Sequence, residues 1–101
     1  MIIREWRGRA CLADAARYPA HFRGKVLPQL QAIGGFVGSH LGQRPFGDGV
    51  EFLVLTRWAS MDAIRAFAGA DMETAVVEPE AVAALADYDP KVRHYEVLQE
   101  A

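Results

Sequence analysis

From Val50 to Trp58 the chain reads Val-Glu-Phe-Leu-Val-Leu-Thr-Arg-Trp, a strand pattern that is apolar on both of its sides. Side chains along a strand alternate between faces, so Phe52, Val54 and Trp58 point one way while Leu53 and Leu55 point the other. Such a strand has to be covered on both faces. Whatever sheet forms around it needs two layers of cover.

The neighbouring segments indicate which sheet. Met1 to Arg9, with Ile2, Ile3 and Trp6 among charges, reads as an edge or half-buried strand. From Leu12 the period lengthens, and Ala15, Tyr18, Phe22, Val26 and Leu30 form one helical stripe. Pro19 and Pro28 predict a kink or break in that helix, and Gly34-Gly35 its end. Phe36 to Leu41 reads as a second strand, with turn chemistry from Arg44 to Gly49. After Trp58, Ser60 stands where an N-cap belongs, Asp62 falls in a first turn, and Ile64, Phe67 and Ala68 give a helical face. Gly69 is expected to interrupt this helix, with Met72 to Val77 resuming it. Pro79 to Ala86 reads as a short helix, Asp87 to Pro90 as a loop, and Val92 to Leu98 as the last strand.

Strand, helix, strand, strand, helix, strand is the ferredoxin-like βαββαβ order, an α+β fold with a four-stranded antiparallel sheet. The 101 residues make a single domain without repeats or linkers. Two helices cover one face of such a sheet and leave the other as an apolar patch that soluble monomers rarely expose. A homodimer packed through the open sheet face is the expected cover, against folding back of the C-terminal segment or loops.

Composition narrows the partners. A net charge of −2 and only 11 Lys and Arg exclude nucleic acid and anionic lipid as main partners. The third strand also lacks the basic-aromatic pattern of an RNA recognition motif. One Cys excludes a disulfide framework, and no run reaches the roughly 20 apolar residues of a membrane helix. The charged start Met-Ile-Ile-Arg-Glu carries no signal-peptide core, so a cytoplasmic location is expected.

Several side chains are candidates for chemistry. Trp58 ends the third strand where a pocket between sheet and helices opens; it reads either as a stacking wall for a planar ligand or as a core-edge aromatic. His94 and Tyr95 are adjacent on the last strand, so only one faces that pocket, where a histidine can serve as a base. Arg4, Arg57 and Arg65 stand nearest the expected pocket mouth, able to steer an anionic or phenolate ligand or to pair with Glu5, Glu51 and Asp62. His21 is expected on the exposed side of the first helix, and His40 to meet His94 only if the register allows. The spacing of the three His gives no metal motif. Cys11 reads as packing, and Gly34 to Gly38 runs helix to strand, the reverse of a dinucleotide fingerprint. No cofactor is expected.

The run Phe52 to Phe67, Phe-Leu-Val-Leu-Thr-Arg-Trp-Ala-Ser-Met-Asp-Ala-Ile-Arg-Ala-Phe, resembles the central signature of the antibiotic biosynthesis monooxygenase family. Val92-Arg93-His94-Tyr95-Glu96-Val97 is similar to the last strand of one bacterial branch. The resemblance implies a dimeric α+β barrel and a cofactor-independent monooxygenase acting on a small aromatic, quinol- or polyketide-like substrate. With the residue reading above, the candidate catalytic residues are His94 and Tyr95, and the candidate substrate contacts are Trp58, Phe67 and Arg57. In the quinol-oxidising branch Trp58 matches a site Trp, while the accompanying Asn and Tyr positions fall on Val54 and Ile64. In the haem-degrading branch the helical Trp position falls on Phe67, the His position on Val77, and the first strand holds no Asn, so haem degradation of that type is not expected. The alternative is a non-catalytic dimer of the same fold that binds a small ligand or serves a stress-related role.

Overall fold

The computed structural model describes all residues, Met1 to Ala101. Strand β1 (Ile2–Cys11) leads through a 3-10 turn into α1 (Arg17–His21), a π-helical segment (Phe22–Val26) and α2 (Leu27–Gln31). Strands β2 (Phe36–Phe46) and β3 (Gly49–Trp58) form a hairpin, followed by α3 (Met61–Ala68), α4 (Pro79–Ala84), β4 (Asp87–Tyr88) and β5 (Arg93–Glu96). The antiparallel sheet runs β2-β3-β1-β4, with β5 also on β1. This is the expected ferredoxin-like α+β arrangement with its last strand split in two. No helix is long and apolar enough to cross a membrane.

Several boundaries differ from the sequence expectation, each for a visible reason. The interruption expected between Pro19 and Pro28 takes the form of the π segment, through which the path of the helix continues. Pro28 has no N–H for the Gly24 carbonyl, and the ladder widens just before it. Strand β2 runs on to Phe46 because it pairs with β3 as far as Gly49, leaving only Gly47-Asp48 as the turn. A bulge between Phe36 and Gly38 shifts the alternation, so Phe36 joins Trp58 on one face while Gly38 and His40 lie on the other. Asp87 and Tyr88, expected in a loop, pair with Arg9 and Gly8. Met72 to Val77 is not helical: a turn at Met72-Glu73 leads to Thr74, which bridges Lys91, while Ala75 N–H donates to the Pro90 carbonyl and Val92 N–H donates to Glu73. These non-local bonds take the backbone groups a helix would need. The segment becomes a strap across the sheet's end.

The apolar core lies on one face. Residues directly opposite in a ladder share a side, so Arg4, Trp6, Phe52, Val54, Thr56 and Trp58 all face the helices. Tyr18, Phe22 and Leu30 from the long helix and Ala63 and Ile64 from α3 close over them, and Phe52, Trp58, Leu30 and Ile64 are fully buried. Helix α3 begins where Ser60 Oγ accepts from Ala63 N–H and ends at Gly69, whose φ of 81° only glycine adopts freely. The opposite face carries half-buried Leu53, Leu55 and Ile3 among ion pairs such as Arg44–Glu51 (2.8 Å) and Arg7–Glu5 (2.7 Å). No helix covers it.

Gly35 ties α3 to the hairpin. Its φ is 93°, its carbonyl accepts from Ala59 N–H at 2.7 Å, and a Cβ there would stand 2.6 Å from the Ala63 Cβ. Gly35→Ala is therefore expected to cost about 1–3 kcal/mol, from the strained φ and the steric overlap together. A lowered urea midpoint with an unchanged m-value would register that loss, and an unchanged midpoint would refute it.

Candidate functional site

Where β1 and β3 face the long helix and the strap, the packing leaves an apolar cavity of about 50 Å³. Trp6, Tyr18, Phe22 and Phe67 supply aromatic walls, Val54 and Val76 aliphatic ones, and Arg4, Thr56 and Tyr18 the polar groups. Each comes from its element's inward stripe: even-numbered positions on β1 and β3, the three-to-four spacing on the helix. That space is about the size of one or two water molecules.

Arg4 is the unusual member. It is 5% exposed, and Nη1 donates to the Met72 carbonyl at 2.6 Å and lies 2.9 Å from His94 Nε2, while Nη2 donates to the Thr74 carbonyl at 3.3 Å. Its guanidinium also stands over Phe67, 5.9 Å from the ring centre. Glu5, the expected partner, instead pairs with Arg7 and Arg93, because position 5 points to the other face of the sheet. Burial lowers the Arg4 pKa to about 10, and the cation persists at neutral pH. A guanidinium only donates, so His94 Nε2 must accept and the ring proton sits on Nδ1. Burial first and the Arg4 charge second push the His94 pKa down, with Glu73 opposing weakly.

Tyr18 supplies a second donor. Burial alone pushes its pKa up, so the hydroxyl stays protonated throughout the physiological range. Trp6 lies against Tyr18 at 5.6 Å between ring centres, and its indole N–H donates to the Asp89 carbonyl at 2.9 Å.

The structure places the remaining sequence candidates as follows. Phe67 lines the cavity. Trp58 is fully buried behind it, 5.9 Å away between ring centres and 5.4 Å from Phe36, with its indole N–H donating to Thr56 Oγ1 at 2.8 Å. Of His94 and Tyr95, His94 is on the cavity side, opposite Arg4 in the ladder; Tyr95 is opposite Ile3 on the other face and half exposed. Arg57 also lies on that other face, across from Gly38, where any Cβ would overlap its guanidinium. Neither Tyr95 nor Arg57 reaches the cavity, because each is an odd-register neighbour of a residue that does. His40 is exposed on β2 and far in register from His94, so the two do not pair. Arg65 makes its expected bond to Asp62 at 2.9 Å.

His21 corrects the expectation of an exposed side chain. Its side chain is only 9% exposed, Nδ1 lies 3.7 Å from Glu80 Oε2, and Nε2 is buried without a partner. Together with Val77 and Glu78 it lines a smaller cavity beside the first. His21, Glu78 and Glu80 bring potential ligand atoms within 4.8 Å, a convergence their sequence spacing conceals. Lys25 Nζ, however, bonds Glu78 at 3.2 Å and Glu80 at 2.9 Å, so one cation already sits between the two carboxylates.

No family profile and no curated protein matches the sequence. Solved structures match by fold. A candidate antibiotic biosynthesis monooxygenase from Deinococcus radiodurans matches with a TM-score of 0.67 and 15% identity, covering 100% of this chain and 96% of that one. A variant of MhuD with two manganese protoporphyrin IX molecules bound per active site gives 0.62 and 18%, covering 100% and 98%. A monooxygenase from the gene ActVA-Orf6 of Streptomyces coelicolor, in complex with nanaomycin D, gives 0.61 and 17%, covering 99% and 88%. The likeness establishes the shared fold.

The depressed His94 pKa has a stability consequence. The folded protein binds fewer protons at this site than the unfolded chain, so its contribution is present above the ordinary value of 6.5 and is lost as pH falls. The thermal midpoint should drop between about pH 7 and pH 5, before most carboxylates titrate. His94→Gln, which still offers Arg4 an acceptor, should drop less over that window; equal slopes would refute the assignment.

Proposed function

We propose that this chain is a cofactor-independent monooxygenase of the antibiotic biosynthesis type, acting on a small aromatic, quinol- or polyketide-like substrate. The aromatic-walled cavity holding a fixed cation and a protonated tyrosine, in a fold shared with proteins that carry the monooxygenase name, is the observation that supports it. On this reading Trp58 keeps Phe67 in place as the wall on which the ring stacks. Arg4 and the Tyr18 hydroxyl hold the substrate oxygen as it gains negative charge, and His94 keeps the guanidinium aimed at it.

The chemistry needs no external reductant. A ring CH₂ of an anthrone-type substrate becomes a carbonyl; one oxygen atom of dioxygen stays in the product and the other leaves as water. Dioxygen takes four electrons, and the substrate carbon gives four. The protein's part is to favour the substrate's deprotonated form in a dry cavity and to hold it against dioxygen.

The working unit is proposed to be a cytoplasmic homodimer joined through the open sheet face. Leu53, Leu55 and Ile3 form its apolar centre, with Tyr95 and Arg57 among the facing residues. That arrangement would satisfy the two-sided strand that the helices cover on one side only.

With an anthrone as substrate, wild-type protein should consume one dioxygen per molecule oxidised, well above the uncatalysed rate, and Tyr18→Phe should lower the rate about a hundredfold. Uptake no faster than autoxidation would reject the enzymatic reading and favour ligand binding without turnover. Sedimentation should give a dimer that Leu55→Asp converts to a monomer; a monomeric wild type would reject the assembly.

A further inference from the structure

Arg4 carries a positive charge that nothing in the chain balances. Its three hydrogen-bond contacts are two carbonyl oxygens and a neutral imidazole, it stands over the neutral ring of Phe67, and no carboxylate lies within ion-pair distance. Burial is the only influence on its pKa, with no opposing pull from an acidic neighbour. Neutral acceptors satisfy hydrogen bonds but leave the charge uncompensated, and a buried charge is ordinarily paired. A guanidinium has five N–H donors in a planar fork suited to a carboxylate or similar oxyanion, and three contacts leave donors over. It also lines the cavity.

We infer that Arg4 is the receptor for an oxyanion borne by a planar aromatic ligand, whose ring enters the cavity between Phe67 and Tyr18 while its charge pairs with the guanidinium. The inference rests on this cavity being the ligand site of the reading above, but does not depend on any oxygen chemistry there. The Tyr18 hydroxyl, which only burial perturbs, offers the oxyanion a second donor.

The geometry also says what must move. A cavity of about 50 Å³ is too small for a ring, and small-molecule pockets usually begin near 300 Å³. The polar groups now occupying Arg4 are the Met72 and Thr74 carbonyls of the strap. An oxyanion that takes their place frees the strap on its cavity side, where Val76 is already half exposed. Ligand charge and cavity opening are thus coupled through one guanidinium.

The test is a titration of the intact protein, followed by Trp fluorescence, with benzoate against its uncharged counterpart benzamide. A second pair, 4-nitrophenolate against nitrobenzene at mildly alkaline pH, distinguishes a phenolate receptor from a carboxylate one. In at least one pair the anion should bind about tenfold or more tightly than its neutral partner, and Arg4→Gln should abolish that preference. Equal binding of charged and neutral partners in both pairs, or a preference that survives Arg4→Gln, overturns the proposal. Should Arg4→Gln fail to fold, the guanidinium NMR signal of Arg4 in the wild type serves instead. It should shift with the anion and not with the neutral molecule, and an unmoved signal overturns the proposal. Anion binding without oxygen uptake leaves this inference standing and removes the oxygenase reading; uptake without anion preference does the reverse.

Discussion

Ten residues of β1 pair with ten of β3, from Ile2 opposite Trp58 to Cys11 opposite Gly49, and this ladder assigns every sheet side chain to its face. Arg4 and Thr56 are opposite each other, as are Trp6 and Val54, and all four line the cavity. A slip of one position would turn them outward and bring Glu5, Arg7 and Leu53 in. The burial of Phe52 and Trp58 makes such a slip expensive. Packing in the core thereby guarantees the chemistry at the cavity, since Trp6, Tyr18, Phe22, Leu30 and Val54 belong to both.

The electrostatics are organised around one exchange. Sheet register carries Arg4 into the interior, and the strap's carbonyls and His94 supply enough hydrogen bonds for it to stay there. The same register sends Glu5 to the opposite face, where Arg7 and Arg93 claim it. Elsewhere several cations sit beside carboxylates: Arg9 reaches Asp87, Asp89 and Glu51, and Lys25 holds both Glu78 and Glu80. Arg4 has no such partner although it is buried; Arg57, on the opposite face, also lacks one, and its Nε is buried without a hydrogen-bond partner. Burying a cation without one costs stability, a cost that residues at binding sites commonly carry.

Much of the fold was legible because its signals are local. The two-sided strand, the helical stripe from Tyr18 to Leu30 and the Ser60 cap each lie within a dozen residues. The site was less legible because it is made by contacts between distant segments. Met72 to Val77 looks helical until Lys91, Pro90 and Arg4 engage its backbone. Arg4 reads as a charge at the pocket mouth, able to steer a ligand or to pair with an acid, because nothing near it in sequence discloses a buried position; His21 reads as exposed because Glu80 lies far along the chain. Alternation did reveal that His94 and Tyr95 part company, but which one faces inward is decided by pairing with β1. The bulge at Val37 likewise leaves no mark in the sequence and flips the strand start that carries Phe36.

The long β2 strand forms one border of the sheet and so presents a row of backbone groups to any passing chain. It is poorly suited to recruiting one. Pro45 has no N–H to offer, the bulge near Val37 twists the ladder, and Arg44 adds charge. At the other border β5 is four residues long and begins with Arg93. Neither margin is a good template for strand addition, so this apolar-rich chain is protected from growing into cross-β fibres through its sheet edges.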